Sequence, residues 1–310
     1  EYVSRDCIKR LQLMTQQATQ AAPLQGRSAI VTGAGKGLGR AYALELARLG
    51  ARVLVNNRVR PGQPNSADAV VAEILASGGV AEADYSSVEH AAAGTDLVTH
   101  ALDCFGTLDI LVANAGMDHP RSFHKQEWDA FDEIFQINFY GTARLLHAAW
   151  PILRRAAQGR AVVSVSSAGL YGNHGQSAYA ASKAALVGLV RSLAIECARD
   201  SLRINALAPY AVTPLTRPWF PQADAGRFSP EAVGHLLAWL ASEACTLNGE
   251  VLIAGGGGVR RAATLETDTL TLGGEMSQVI ERLIDTAPAH AQVSASEEFA
   301  AFAQSLREVG

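Results

Sequence analysis

Cysteine is scarce and unpatterned. The 310 residues hold four, Cys7, Cys104, Cys197 and Cys245, with no Cys-x-x-Cys pair. That argues against a disulfide-stapled scaffold and predicts reduced thiols in a cytoplasmic protein. Basic residues are not in excess: 26 Lys and Arg against 30 Asp and Glu give a formal charge of −4. Nothing is left over to neutralise a run of nucleic-acid phosphates, so no nucleic-acid partner is expected. No apolar stretch approaches the ~20 residues of a membrane helix, and no membrane partner is expected either. The opening stretch EYVSRDCIKRLQLMTQQATQAAPLQ is polar and Gln-rich rather than a leader, and residues 1–25 read as a flexible segment. No His/Cys/Asp cluster has ligand spacing, so no metal is expected. Hydrophobic residues make up 48% and charged ones 18%, enough to build a folded core.

What the chain does contain is alternation. Short runs rich in Val, Ile and Leu fall at 28–33, 52–57, 80–85, 108–116, 161–167, 203–209 and 250–256. They are nearly continuous rather than polar on every second residue, as strands covered on both faces are. Segments of helical period lie between them, such as LGRAYALELARLG and YAASKAALVGLVRSLAIECARD. Such a pattern predicts an α/β fold, a doubly wound parallel sheet of about seven strands over residues 26–260. Residues 261–310 read as a C-terminal helical extension. EMSQVIERLID and SASEEFAAFAQSL each place apolar residues on one face, the second opening on a Ser294–Glu297 capping pattern. Such an extension packs as an appendage or serves as a lid or a dimer arm.

TGAGKGLGR, residues 32–40, follows the first strand and opens the first helix. Gly33, Gly37 and Gly39 allow a tight turn and close backbone approach, and a helix N-terminus offers free N–H groups to an anion. With the strand before and the helix after, Lys36, Gly37, Leu38 and Gly39 become candidates for cradling a dinucleotide pyrophosphate. The second strand ends VLVNNRVR, where a carboxylate would hold the ribose hydroxyls of NAD. Asn57 stands there instead, followed by Arg58 and Arg60, with Lys36 in the glycine loop. Removing the acid and adding cations favours NADP(H), although NAD(H) is not excluded.

Tyr179 and Lys183 lie four residues apart, one helical turn, in a run otherwise rich in alanine. An ordinary phenol titrates near ~10 and would have to fall by about three units, roughly 4 kcal/mol, to act as a base near neutrality. A lysine held beside it is one source of that shift. Ser166 and Ser167 end the fifth strand just upstream.

In chain order, TGAGKGLG, NAG (114–116), the asparagine of FQINFYGT, the serine of SVSSAG, YAASK and NALAP resemble the short-chain dehydrogenase/reductase family over residues 28 to about 260. The resemblance implies a Rossmann-type domain and a catalytic set of Asn138, Ser166, Tyr179 and Lys183. Its Ser-x-x-Gly pattern selects Ser166, through Gly169, over Ser167. Tyr179 would exchange a proton with the substrate oxygen, Ser166 would steady it, and hydride would pass to or from the nicotinamide. Asn138 would hold a water in the proton relay to Lys183. The cofactor residues it implies also include Asn114, Ala115, Gly116, Pro209 and Thr213. For the adenine contact, either Asp84 or Ser86 is in line. The family wording departs at Ala113, where an asparagine is usual, and at Tyr210, where a glycine is usual.

AGLYGNHGQSAYAASKAAL is similar to the 3-hydroxyacyl-CoA dehydrogenase regions of peroxisomal multifunctional enzymes type 2 and to 17β-hydroxysteroid dehydrogenases. The implied activity is interconversion of a secondary alcohol and a ketone on a small-molecule substrate, hydrophobic or a 3-hydroxyacyl thioester, with a hydroxysteroid as the alternative. A nucleotide-sensing Rossmann protein without catalysis is the reading from another class. A homodimer or homotetramer is expected.

Overall fold

A computed structural model describes residues 22–60, 62–217, 220, 226–272, 275–292 and 294–309. Most of the predicted flexible segment, residues 1–21, lies outside them; residues 22–25 lie inside. They turn into the first strand, with Leu24 buried and its amide bonded to the Leu49 carbonyl.

The elements run β1 (Ser28–Thr32), α1 (Gly37–Arg48), β2 (Arg52–Asn56), α2 (Ser66–Ala76), β3 (Val80–Asp84), α3 (Ala93–Phe105) and β4 (Ile110–Ala113). Next comes α4 (Trp128–Phe135), which passes through a π-helical turn, Gln136–Tyr140, into α5 (Gly141–Arg155). β5 (Arg160–Ser164), the one-turn α6 (Ala168–Tyr171), α7 (Ser177–Glu196), β6 (Arg203–Pro209), α8 (Pro230–Leu240), β7 (Val251–Gly255) and β8 (Gly258–Ala262) follow. The sheet order is β3-β2-β1-β4-β5-β6-β7-β8. All six pairings from β3 across to β7 are parallel. Every residue of β1, β4 and β5 is buried, as the continuous apolar runs require. Helix α1 packs on α8, α3 on α5, and α6 on α7.

The eighth strand is beyond the sequence expectation of about seven. Gly256 and Gly257 both have positive φ, 59° and 83°, the backbone of a two-residue hairpin turn, so β8 folds back beside β7 at the sheet edge. Its signal was a glycine run rather than an apolar one.

The N-terminal edge of the sheet is held by charge-assisted bonds. Arg160, 3% exposed, donates to the carbonyls of Gly159, Ser201, Ser242, Glu243 and Cys245. The opposite, C-terminal edge is left open for chemistry.

One expectation needs amending. Helix α7 spans 20 residues with a mean hydropathy of 1.3 over its most apolar window, long and apolar enough by composition to cross a membrane. It packs here on α6 and β6, with Lys183 inside it only 4% exposed.

The chain divides into two compact units, residues 1–260 and 261–310. In the second, α9 (Met276–Asp285) and α10 (Ala295–Val309) form where the apolar periodicity put them. Ser294 Oγ accepts the Glu297 amide at 3.2 Å, the N-cap bond the sequence pattern predicts.

Candidate active site

Strand order reverses between β1 and β4, and a crevice opens where their C-terminal ends diverge. The crevice is a cleft of about 1250 Å³. Asn114, just past β4, spans it: its amide donates to Thr32 Oγ1 at 3.0 Å and its Nδ2 to the Thr32 carbonyl at 3.0 Å. Its Oδ1 accepts the Ser164 hydroxyl at 3.2 Å. One side chain thus ties the ends of β1, β4 and β5 together.

The glycine loop fits a pyrophosphate. Gly33 and Gly37 have φ of 63° and 53°, left-handed backbone that favours glycine. A Cβ on Gly39 would lie 2.7 Å from Asn114 Nδ2, and one on Gly37 would lie 3.1 Å from the Thr213 side chain. Lys36 precedes α1 without a side-chain cap, so the first helical N–H groups face the cleft uncapped by the chain itself.

Tyr179 and Lys183 come to the cleft from α7, and Ser166 from the end of β5. Lys183 Nζ donates to the Ser164 carbonyl at 2.7 Å and lies 5.8 Å from the Tyr179 ring centre. Gly169 has a steric reason to be glycine: a Cβ there would lie 2.8 Å from Lys183 Cβ, so α6 could not lie against α7. Of the two serines, Ser166 meets the phenol of Tyr179, while Ser167 takes the position just before α6.

The electrostatics differ from a simple reading of the Tyr/Lys spacing. Burial pushes the Tyr179 phenol above its ordinary value; the Ser166 hydroxyl pulls it down, and the Asp118 carboxylate pushes it up. Lys183 is itself lowered by burial, from 10.5 to about 8. A buried ammonium that loses its proton more easily than in the unfolded chain opposes folding while it is charged. Between pH 8 and 10.5 the unfolded chain holds a proton at this site that the folded chain has released, so stability rises with pH across that window. Relative to Lys183→Met, the wild type gains about 3 kcal/mol between pH 8 and pH 10.5 at 1.36 kcal/mol per unit. Urea midpoints of both proteins across this range check it, and parallel curves would refute it.

Asn138 sits in the π turn, fully buried and away from the cleft lining. Its Oδ1 accepts the Met117 amide at 2.8 Å, and its Nδ2 donates to the Met117 carbonyl at 3.0 Å and to Ser182 Oγ at 3.1 Å. The side chain thereby clamps the loop after β4 against α7.

On the adenosine side, Ser86 lines the cleft and Asp84 does not. The Asp84 carboxylate is occupied by Asn56 Nδ2 at 2.9 Å, the Ser86 amide at 2.8 Å and His100 Nδ1 at 2.8 Å. These bonds hold Asp84 at the end of β3, directly behind Ser86. Asn57 donates to Ser66 Oγ at 2.8 Å, and Arg58 pairs with Glu89 at 3.2 Å, both within the cleft lining. Lys36, Leu38, Arg60, Ala115, Gly116 and Pro209 also line it. Thr213 does too, its hydroxyl 3.0 Å from that of Thr216. Asp118, Gln176, Ser66 and Glu89 line it as well, although no motif marks them.

A doubly wound sheet with a glycine cradle at its switch point and a Tyr/Lys/Ser group beside it defines a nucleotide-dependent oxidoreductase. The family model for short chain dehydrogenases matches residues 27–224. A short-chain type dehydrogenase/reductase of Mycobacterium tuberculosis is 42% identical over 250 residues, covering 79% of this chain and 87% of its own. Peroxisomal multifunctional enzyme type 2 of Mus musculus is 40% identical over 245 residues, 76% of this chain but only 33% of the mouse protein. The crystal structure of a 3-oxoacyl (acyl-carrier-protein) reductase from Agrobacterium tumefaciens with NADP bound superposes with a TM-score of 0.69 at 32% identity, over 78% of this chain and 98% of the other. The chain belongs to the short-chain dehydrogenase/reductase family and is an oxidoreductase that acts on CH–OH groups of small molecules with NAD(P).

Proposed function

We propose that this protein interconverts a secondary alcohol and its ketone, with Tyr179 as the proton-exchanging group. The observation that carries the reading is the meeting of the Tyr179 phenol and the Ser166 hydroxyl inside the cleft, with Lys183 beside them. Burial keeps the phenol protonated, the state needed to give a proton to a carbonyl oxygen; in the other direction it takes one from the alcohol. Ser166 bonds the same substrate oxygen and fixes its distance to the phenol. Lys183, anchored at the Ser164 carbonyl, places its charge under the Tyr179 ring and favours the phenolate when it forms. Asn138 is a positioning residue that fixes Met117 beneath the site.

The residues that would hold the cofactor are Gly33, Lys36, Gly37, Leu38, Gly39, Asn57, Arg58, Ser86, Asn114, Ala115, Gly116, Pro209 and Thr213, all in the cleft lining. When bound, NAD(P) supplies or accepts the hydride. The absence of an acid at Asn57 and the cations at Lys36, Arg58 and Arg60 support NADP(H) as the preferred form.

The substrate class we favour is a hydrophobic alcohol or a 3-hydroxyacyl thioester, supported by the likeness to a 3-oxoacyl reductase and to a peroxisomal multifunctional enzyme. Turnover at the nicotinamide absorbance band with 3-hydroxyacyl-CoA and hydroxysteroid panels, each with both cofactors, separates the two substrate classes. No turnover of any secondary alcohol or ketone would refute the reading.

We further propose a closed homo-oligomer in a reducing, cytoplasmic setting. Trp128 and Ile195 remain 70% and 50% exposed on α4 and α7, apolar surface available to a second copy. Cys197 and Cys245 are buried free thiols. Light scattering at micromolar concentration should give a dimer or tetramer; a stable monomer would defeat this part.

A further inference from the structure

Three segments meet on one side of the cleft: the glycine loop, the end of β2 and the start of α2. Asn57, just past β2, donates from Nδ2 to Ser66 Oγ at 2.8 Å, and Ser66 is the first residue of α2. Gly35 of the loop lies against the two side chains. A Cβ on it would be 2.8 Å from Asn57 Nδ2 and closer still to Ser66 Oγ, so this loop position has to be bare. Asn65 caps α2 by accepting the Ala67 amide at 3.1 Å, which fixes the backbone that carries Ser66. Ser66 is half-buried, and it lines the cleft together with Lys36, Asn57, Arg58 and Arg60.

The Ser66 hydroxyl is only half used. A serine oxygen can accept and also has one proton to give, and here it accepts from Asn57. No acceptor among the described residues takes the Ser66 proton. The surroundings favour an anion in that role. Lys36, Arg58 and Arg60 supply positive charge, and the N-terminal N–H groups of α2, an 11-residue helix, add to it. The acid of that first turn, Asp68, is outside the cleft lining and accepts the Tyr85 hydroxyl at 2.6 Å. Glu89 is in the lining but pairs with Arg58. In a doubly wound dinucleotide fold, the residue at the end of the second strand is where the adenosine ribose is read. A hydroxyl that donates to a phosphate oxygen there makes a charge-assisted bond, roughly twice as strong as one to a neutral ribose hydroxyl.

We propose that Ser66 is a specificity-determining residue for the cofactor, its hydroxyl donating to the phosphate on the adenosine ribose of NADP(H). Asn57 prepares it for that role: an amide donor at this position engages the serine oxygen as acceptor and leaves the proton to the ligand. A carboxylate at position 57 would do the reverse and take the Ser66 proton for itself. The inference rests on the reading of the cleft as an NADP(H) site, and it adds a neutral donor to the cations already assigned there.

The test measures binding, so it does not depend on turnover. Calorimetric titrations of the full chain compare NADPH with NADH, and adenosine 2′,5′-bisphosphate with adenosine 5′-monophosphate, in the wild type, Ser66→Ala and Ser66→Thr. Ser66→Ala should cut the NADPH/NADH affinity ratio about tenfold, and the ratio of the two nucleotides by a similar factor. Ser66→Thr, which keeps the hydroxyl, should hold both ratios within a few-fold of the wild type. A general loosening of the loop weakens both ligands of a pair and leaves their ratio alone, so it does not imitate the expected result. Because no charge is removed, the NADPH/NADH ratio should depend on salt in Ser66→Ala as it does in the wild type. A flatter dependence would mean that the substitution acts through the cations, and the proposal is overturned. A wild-type preference for the phosphate that persists in Ser66→Ala overturns it too, while the NADP(H) reading stands on Lys36, Arg58 and Arg60. Equal binding of NADH and NADPH by the wild type overturns both.

Discussion

Tyr179→Phe lowers turnover at least a hundredfold and leaves cofactor affinity within a few-fold. The phenol meets Ser166 in the cleft, and phenylalanine keeps the ring while removing the atom that exchanges the proton. Acid–base groups of this kind are worth about 10²–10⁴-fold. The fold should not suffer, since burial already disfavours the phenolate and an apolar ring is welcome where Tyr179 sits. Single-turnover absorbance at the nicotinamide band gives the rate, and fluorescence titration of the cofactor gives the affinity. Retention of more than about a tenth of the rate would remove Tyr179 from the chemistry. Ser166→Ala serves as the companion measurement: it keeps the tyrosine but deletes its partner, so a smaller loss is expected.

The architecture was legible because its determinants are local. Apolar runs at 28–33, 108–116 and 161–167 became the fully buried β1, β4 and β5, with every strand residue covered. The glycine loop was legible for the same reason: positive φ at Gly33 and Gly37 is a property of those residues. Helical spacing put Tyr179 and Lys183 on one face, and the accompanying motifs of the family singled the pair out. What escaped was set by the meeting of distant segments. Asp84 and Ser86 are two residues apart, and only the fold brings Asn56 and His100 to the first of them. The Asn138 side chain bonds Met117, 21 residues away, which no motif reveals. Asp118 is met by Gln176, 58 residues later, a pairing that no local pattern shows. The direction of the pKa shifts was also invisible, because i to i+4 spacing predicts a lowered phenol while burial, a tertiary property, raises it.

The cofactor preference is where a single position carries most of the leverage. Asn57 lines the cleft with Lys36, Arg58 and Arg60 around it, and its amide donates to Ser66. Wild type should bind NADPH at least tenfold tighter than NADH, which takes only one good hydrogen bond, since a charge-assisted bond is worth about 1.5–3 kcal/mol and ~1.4 kcal/mol is tenfold. Arg58 is drawn toward Glu89 at 3.2 Å, but such a partly exposed pair is weak and yields to a phosphate. Asn57→Asp combined with Arg58→Leu acts on both sides of the balance. The new carboxylate repels a 2′-phosphate and accepts from the ribose hydroxyls of NADH, while removing Arg58 frees Glu89 to add to the repulsion. Deleting one charge-assisted bond to NADPH and creating one to NADH together amount to about 4 kcal/mol, roughly a thousandfold change in the NADPH/NADH ratio. Fluorescence titration of both cofactors against both proteins reads that ratio directly. Equal binding of NADH and NADPH by the wild type would mean that Lys36, Arg58 and Arg60 are solvated surface charges and that the site does not select for the phosphate.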